Sequence, residues 1–177
     1  FIGAGNRKFN QVSVLIEKKG LKFAFLGFYE AGFKNSKTGV FVNSINEKNI
    51  ISDIKENKAK ADVVIVSLHW GIENVFHPSP KQIKLARNLI DAGATLILGH
   101  HPHVVQGVER YKNGLIAYSL GNFQFDTKKD ETRNSIILVV NIEKSGIEDY
   151  KIIPVEISKD FCPDIVRNQK AQEALSS

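Results

Sequence analysis

Two short apolar runs, each preceded by an amphipathic helical pattern, constrain the fold of this chain more than any other feature. Residues 46–60 carry isoleucines at helical spacing among polar residues, and residues 79–91 repeat that pattern after a Ser-Pro start. Asp62–Leu68 and Thr95–Leu98 follow as runs of mainly branched apolar residues, which are typical of strands buried on both faces. The order helix, strand, helix, strand predicts a βαβ crossover and a parallel sheet.

Strand patterns without intervening helices flank this unit. Gln11–Glu17 and Leu21–Phe28 are joined by Lys-Lys-Gly, which predicts a hairpin. The segment Ala31–Asn43 carries Gly32, Gly39, Asn and Ser and predicts a loop. Further strands are predicted at Val104–Arg110, Gly114–Ser119, Ser135–Glu143 and Asp149–Ile157, and Lys112-Asn113-Gly114 predicts a hairpin turn between the first two. The sequence therefore predicts an α/β fold with antiparallel strands at the C-terminal end.

Composition excludes several classes of protein. The 177 residues are 42% hydrophobic and 24% charged, which is typical of a globular domain and excludes disorder of the whole chain. No apolar run approaches the roughly 18–20 residues of a membrane-spanning helix, and the single cysteine, Cys162, excludes an intrachain disulfide. The net charge of +5 is spread along the chain, which favours a solvated, lysine-rich surface over a nucleic-acid interface and is compatible with a polyanionic partner.

Four of the five histidines come directly after the two buried runs. His69 follows the first run, and His100, His101 and His103 follow the second. Because ligands of an open α/β sheet bind outside the carboxyl ends of its strands, we expect these imidazoles to converge there. Imidazole is the commonest metal ligand among side chains. The pattern indicates a metal or phosphate-type site, and hydrogen-bonded structural histidines are the alternative that spacing alone leaves open.

A series of five motifs gives the sequence a specific resemblance. In chain order they are SLHWGIE from Ser67, QIKLA from Gln82, DAGA from Asp91, GHHPH from Gly99 and YSLGNF from Tyr118. This series resembles the capsule synthesis protein CapA family, also called the poly-γ-glutamate biosynthesis family, which is similar in turn to calcineurin-like metallophosphoesterases. Gly-Ala-Gly at residues 3–5 and the hairpin after it also fit, so the resemblance covers most of the chain.

The resemblance implies a metallophosphoesterase-like β-sandwich flanked by helices, with a dinuclear metal site at the strand ends. It implies His69, His101 and His103 as ligands of divalent metal ions such as Mn, Fe or Zn. An alignment shifted by one residue, in which Gly99-His100-His101 is the start of the family's Gly-His-x-His-type element, stays open. The candidates for supporting residues beside the metal are His100, Glu73 and Asn122. For Glu73 a surface carboxylate, and for Asn122 a turn-forming residue, are the alternatives.

The early ligands of that superfamily have no counterpart upstream of His69. They are an Asp-x-His-like or Gly-Asp start, a bridging Asp and an Asn-His pair. We therefore expect residues 1–158 to be the C-terminal portion of a CapA-like domain carrying part of its site, and residues 159–177 to be a polar tail. Sheet surface left uncovered by the other portion would be apolar, which favours self-association into a homo-oligomer.

Three functions stay open. The resemblance implies a capsule or exopolymer synthesis protein that is extracytoplasmic, membrane-associated or at the cell surface, and that acts with an anionic polymer of the poly-γ-glutamate type and with membrane-associated synthesis machinery. The second is a metal-dependent hydrolase that cleaves a phosphoester or a polymer amide bond at a dinuclear centre. The third is a non-catalytic binding module in which the histidines hold one structural metal ion or none.

Overall fold

The computed structural model describes residues 2–5, 13–30, 33–34, 39–127 and 129–167. In chain order its elements are β1 (Ala4–Gly5), β2 (Ser13–Lys18), β3 (Leu21–Tyr29), β4 (Phe33–Lys34), β5 (Phe41–Val42), α1 (Glu47–Lys58), β6 (Val63–His69), α2 (Pro80–Asp91), β7 (Leu96–His100), β8 (Val108–Tyr111), β9 (Gly114–Ala117), a 3-10 turn (Asp130–Thr132), β10 (Asn134–Glu143), β11 (Gly146–Ile157) and β12 (Pro163–Ile165).

A six-stranded sheet in the order β2-β3-β6-β7-β9-β8 forms the centre of the fold. β3, β6, β7 and β9 run parallel to one another, and β2 and β8 complete the sheet as antiparallel edge strands. The parallel sheet and both hairpins predicted from the sequence are therefore confirmed over the described residues; Gln11, the predicted start of the first hairpin, lies outside them.

Two helices cover one face of this sheet. α2 begins where the sequence predicts, because Ser79 and Gln82 form a capping box in which each side chain accepts a hydrogen bond from the other's backbone N–H. Ile54 of α1 and Leu89 of α2 are completely buried, in one apolar cluster with Trp70. The capped start of α2 fixes the loop between β6 and α2, which leaves the sheet at its carboxyl edge.

A second, antiparallel sheet, β10-β11-β12, covers the other face. Leu138 and Ile147 of this sheet pack with Val63, Leu96 and Leu115 of the central sheet. The layers are thus helices, central sheet and second sheet, which confirms the predicted β-sandwich flanked by helices. β12 lies in the segment for which the sequence predicts a polar tail, and residues 168–177 of that tail lie outside the described part.

Several segments differ from the sequence prediction. The predicted loop Ala31–Asn43 contains the two-residue strands β4 and β5, although residues 31–32 and 35–38 lie outside the described ranges. The predicted strand Val104–Arg110 begins only at Val108, because the chain turns after β7 and Val104 is completely buried as a core contact of that turn. β7 extends past the predicted Thr95–Leu98 to include His100.

Both α-helices have 12 residues, a length of about 18 Å. A bilayer's hydrocarbon core is about 30 Å thick. Within the described residues, no helix has the length and apolar character to cross a membrane.

A polar cluster ties α2 to the edge strand β8. The Arg87 guanidinium donates hydrogen bonds of 2.7 and 3.0 Å to Glu109 Oε1, and the Tyr118 hydroxyl donates a 2.6 Å bond to Glu109 Oε2. Partial burial opposes ionisation of Glu109, but the hydrogen bonds from Arg87 and Tyr118 and the charge of Arg87 together lower its pKa. Burial, followed by the bond to Glu109, raises the pKa of Tyr118.

A lowered carboxyl pKa predicts an acid-sensitive contribution to stability. We expect this contribution to be complete above about pH 4.3, the ordinary pKa of a glutamate, and to be lost as pH falls through the lower pKa of folded Glu109. Urea unfolding of the wild type and of Glu109→Gln should therefore differ at pH 7, with the wild type more stable, and the gap should narrow at pH 3. A gap of the same size at both pH values would contradict this role.

Candidate metal centre

The carboxyl ends of β6 and β7 place two histidines side by side. His69 ends β6, His100 ends β7, and the two residues are directly paired in the parallel ladder. The Trp70 N–H donates a 3.0 Å hydrogen bond to the His100 carbonyl, so the two chains remain joined beyond the last pair. His69 and His100 are thus strand ends, while His101 and His103 belong to the turn that follows.

That turn has an unusual backbone. His101 has a φ of 100° and His103 a φ of 62°, values that non-glycine residues rarely adopt. Each such residue costs on the order of 1–3 kcal/mol, and the surrounding structure must enforce it. The His101 ring lies 4.8 Å from the His69 ring and 6.0 Å from the His103 ring between centroids. The turn therefore brings the His101 ring close to both other imidazoles.

A carboxylate completes a group with two of these histidines. The ligand atoms of Glu73, His101 and His103 all lie within 4.8 Å of one another. Glu73 comes from the loop between β6 and α2, and the neighbouring Asn74 N–H donates a 2.8 Å hydrogen bond to the Pro102 carbonyl. His69 adjoins this group through its ring contact with His101. Two imidazoles and a carboxylate are donors suited to Zn, Mn or Fe.

Asn122 fixes the tautomer of His103. The Asn122 Nδ2 donates a 3.0 Å hydrogen bond to the Thr132 carbonyl, which can only accept. Asn122 Oδ1 is therefore the atom that lies 2.7 Å from His103 Nδ1, and this nitrogen must carry the proton. A neutral His103 then has its lone pair on Nε2. This is the usual way in which an outer residue prepares an imidazole for a metal.

Two of the histidines are biased toward the neutral form. Burial lowers the pKa of His69, and the neighbouring His101, His100 and His103 lower it further, because a charged imidazole would face like charges. Burial also lowers the pKa of His100, which is partly buried at the end of β7. A neutral imidazole has the free lone pair that a metal ligand needs, so this environment fits a divalent ion.

Of the six residues selected from the sequence, the structure brings Glu73, His101 and His103 into one group. His69 lies against that group, Asn122 bonds to His103, and His100 stands beside His69. The assignment of His69, His101 and His103 as metal ligands stays a prediction.

Aromatic residues that the sequence analysis did not select border the histidines. Tyr29 lies edge-on to His69 at 5.1 Å, and Phe125 lies 5.2 Å from His103. Tyr29 ends β3 and pairs with His69 in the ladder, so its position at the end of a predicted strand was a usable signal. Phe125 had no such signal. It helps to line an open pocket of about 290 Å³ together with Glu73, His103 and Lys129.

The sequence has identified relatives. Residues 1–127 match the family model described as bacterial capsule synthesis protein PGA_cap. The chain is 36% identical over 168 residues to the capsule biosynthesis protein CapA of Bacillus anthracis, covering 90% of this chain and 41% of that protein. It is 39% identical over 159 residues to the PGA biosynthesis protein CapA of Bacillus subtilis strain 168, covering 88% of this chain and 42% of that protein.

Solved structures share the fold at low sequence identity. A novel phosphatase from Mycoplasma pneumoniae aligns with a TM-score of 0.57 at 12% identity, over 92% of this chain and 60% of that one. A putative 5'-nucleotidase from Staphylococcus aureus aligns with a TM-score of 0.54 at 14% identity, over 94% of this chain and 33% of that one. These likenesses concern the fold alone, and they confirm the predicted metallophosphoesterase-like architecture.

The chain spans about two fifths of the length of the two CapA proteins that it matches. Within that span the family model covers both strand-end histidines, the whole turn after β7 and Asn122. The resemblance found in the five motifs is therefore confirmed, and the chain belongs to the bacterial capsule synthesis protein PGA_cap family.

Proposed function

We propose that the intact protein acts in the synthesis of a capsule or exopolymer of the poly-γ-glutamate type, outside the cytoplasm and in association with the cell surface. The observation that carries this proposal is the match to two CapA proteins, one named for capsule and one for PGA biosynthesis, along 88–90% of the chain. A further relative, 25% identical over 118 residues, is named a probable polyglutamine synthesis accessory protein of Mycobacterium tuberculosis.

We further propose that the site holds at least one divalent metal ion. His101 and His103 are its central ligands, His69 is the third imidazole, and Glu73 stands close enough to His101 and His103 to contribute an oxygen. When bound, the ion would act as a Lewis acid that activates water and polarises the group under attack. Asn122 supports this role by holding the His103 proton on Nδ1, away from the proposed ligand atom Nε2.

The second candidate function is hydrolysis of a phosphoester or of a polymer amide bond. Two observations favour it: the imidazole and carboxylate donors meet at a strand edge, and an open pocket of about 290 Å³ adjoins them. In that pocket Lys129 offers a cation near His103, and Phe125 offers an apolar face. An anionic substrate group could thus be held beside the ligands.

Synthesis machinery in the membrane and a second copy of the chain are the proposed partners.

Polymer binding tests the first proposal. We expect the chain, with its net charge of +5, to bind poly-γ-glutamate in 0.1 M salt. Binding should weaken steeply toward 1 M salt, because the Debye length falls from about 10 Å to about 3 Å. Co-sedimentation at both salt concentrations measures this, and the methyl ester of the same polymer, which lacks the charges, is the control. No binding at 0.1 M salt, or equal binding of the ester, would contradict the proposal.

The same samples separate the two candidate functions. If the chain is a hydrolase, the polymer should shorten or a chromogenic phosphodiester should be cleaved over time when Mn²⁺ or Zn²⁺ is added. A chelator should stop this cleavage. Unchanged polymer and diester in the presence of either metal would leave binding without cleavage, and would contradict the hydrolase for this chain.

A further inference from the structure

Glu73 reaches the histidines from an exposed loop, and two hydrogen bonds hold that loop in place. The Asn74 N–H donates to the Pro102 carbonyl at 2.8 Å, between the two histidines of the turn. The Gln106 Nε2 donates to the Val75 carbonyl at 2.7 Å. The backbone of Asn74 and Val75 is therefore tied to the turn that carries His101 and His103. The first bond uses only backbone atoms, so Gln106 is the side chain on which this attachment depends.

Gln106 is buried and fully engaged. Gln106 is only 2% exposed, and its backbone N–H donates to the Ser119 carbonyl at 3.0 Å. Its side-chain Oε1 accepts a long 3.4 Å hydrogen bond from Gln82 Nε2. Gln82, 6% exposed, accepts hydrogen bonds from the N–H and hydroxyl of Ser79 at its own Oε1. The chain of amides thus runs from the capped start of α2 to the loop that carries Glu73.

The hydrogen bonds among these amides allow only one orientation of each amide group. A carbonyl can only accept, so Val75 O requires the NH₂ group of Gln106, and the Oε1 of Gln106 must then turn to Gln82. Gln82 in turn presents its NH₂ to Gln106 and its oxygen to the Ser79 N–H. Unpaired buried polar groups are costly, about 1–3 kcal/mol each, so the three residues hold one another in a single arrangement.

We propose that Gln106 is a positioning residue that holds the Glu73 carboxylate beside His101 and His103, and that it thereby raises the affinity of the site for a divalent metal ion. This inference rests on the proposed metal site. It assigns Gln106 no contact with the metal. Its effect passes through the loop at Val75 to Glu73, two residues away along the chain.

A double-mutant cycle on metal affinity tests the inference. The variants are Gln106→Met, which keeps the length of the side chain and removes both amide contacts, Glu73→Ala, and the two combined. Affinity is measured by competition for Zn²⁺ and Mn²⁺ with a chromophoric chelator. We expect Gln106→Met alone to weaken binding by about 10-fold or more, the range typical of changes to outer residues of a metal site. In the Glu73→Ala background the same change should weaken binding by less than about twofold.

Asn57 provides a matched control. It is a buried amide, 4% exposed, whose Nδ2 donates to the Asp53 carbonyl near the end of α1. α1 ends just before β6 begins at Val63, whereas the histidines lie at the other end of that strand. Asn57→Leu should lower the melting temperature as Gln106→Met does, yet leave metal affinity unchanged. If Gln106→Met does not fold, Gln106→Asn, which keeps the amide but shortens its reach, takes its place.

The outcomes distinguish the two proposals. Wild-type protein that binds neither metal would overturn the metal site and the positioning role together. Wild-type binding with unchanged affinity in folded Gln106→Met would overturn the positioning role alone. An equal loss of metal affinity from Gln106→Met in the wild-type and Glu73→Ala backgrounds would also overturn the positioning role. It would show that Gln106 does not act through Glu73.

Discussion

Replacing Gly99 by alanine is expected to destabilise the protein by about 4 kcal/mol or more, a large part of the roughly 5–15 kcal/mol that stabilises a domain. A Cβ at this position would lie 1.8 Å from the Tyr118 carbonyl oxygen and 2.7 Å from Trp70 Nε1. Those two atoms are joined by a 3.1 Å hydrogen bond. Because β7 is buried between its neighbours, the strand has no room to move, and the contact between Trp70 and Tyr118 would have to open.

Gly107→Ala is the control for this prediction. Nothing lies within 4 Å of a Cβ built on Gly107, although its carbonyl accepts the Tyr118 N–H at 3.1 Å, so it contacts the same segment. We expect this variant to lower the free energy of unfolding by no more than about 0.5 kcal/mol. Urea denaturation of both variants and the wild type at pH 7 measures the difference. A Gly99→Ala protein as stable as Gly107→Ala would contradict the tight enclosure of β7 at Gly99.

His101→Ala is expected to remove high-affinity metal binding. His101 is the one histidine in contact with both other proposed ligands, at 4.8 Å from the His69 ring and 6.0 Å from the His103 ring. Removing His101 should therefore weaken metal affinity by more than the roughly 10- to 100-fold typical of changes to outer residues. Alanine keeps the Cβ that makes a φ of 100° unfavourable, so the backbone strain of this turn should be unchanged. The folded protein should stay intact while its metal content falls.

Metal content per chain, measured by mass spectrometry after purification without chelator or histidine tag, tests this expectation. His77→Ala is the control, because His77 is exposed in the loop between β6 and α2 and does not belong to the Glu73 group. We expect His77→Ala to retain the wild-type metal content. Equal metal content in His101→Ala and in the wild type would contradict the proposed site.

The elements that the sequence predicted well are those whose signal is local. α2 and the hairpin turn between β8 and β9 were identified because a Ser-Pro start and a Lys-Asn-Gly turn lie within a few residues of the structure that they specify. The burial of β6 was evident from a continuous apolar run. Val104 shows the limit of this reasoning. Its apolar side chain favours a strand, yet it fills the core from a turn, and periodicity does not separate the two cases.

In the site, too, some features had a local sequence signal and others did not. Adjacent parallel strands, deduced from one helical crossover, were enough to bring His69 and the second histidine group to one edge. The role of Glu73 was not deducible from spacing, because its place beside His101 depends on the Asn74–Pro102 and Gln106–Val75 contacts. These join residues 28 and 31 positions apart, and no local pattern records them.

The sequence by itself determined the α/β order, the burial of the central strands, the edge at which the histidines gather and, through its motifs, the family. Only the tertiary structure decided which donors face one another, which nitrogen of His103 carries the proton and why residue 99 must be glycine. The physical reason is the range of the interactions. Propensity, capping and hydrophobic periodicity act over a few residues, whereas ligand geometry is set by hydrogen bonds and close contacts between segments that meet only after folding.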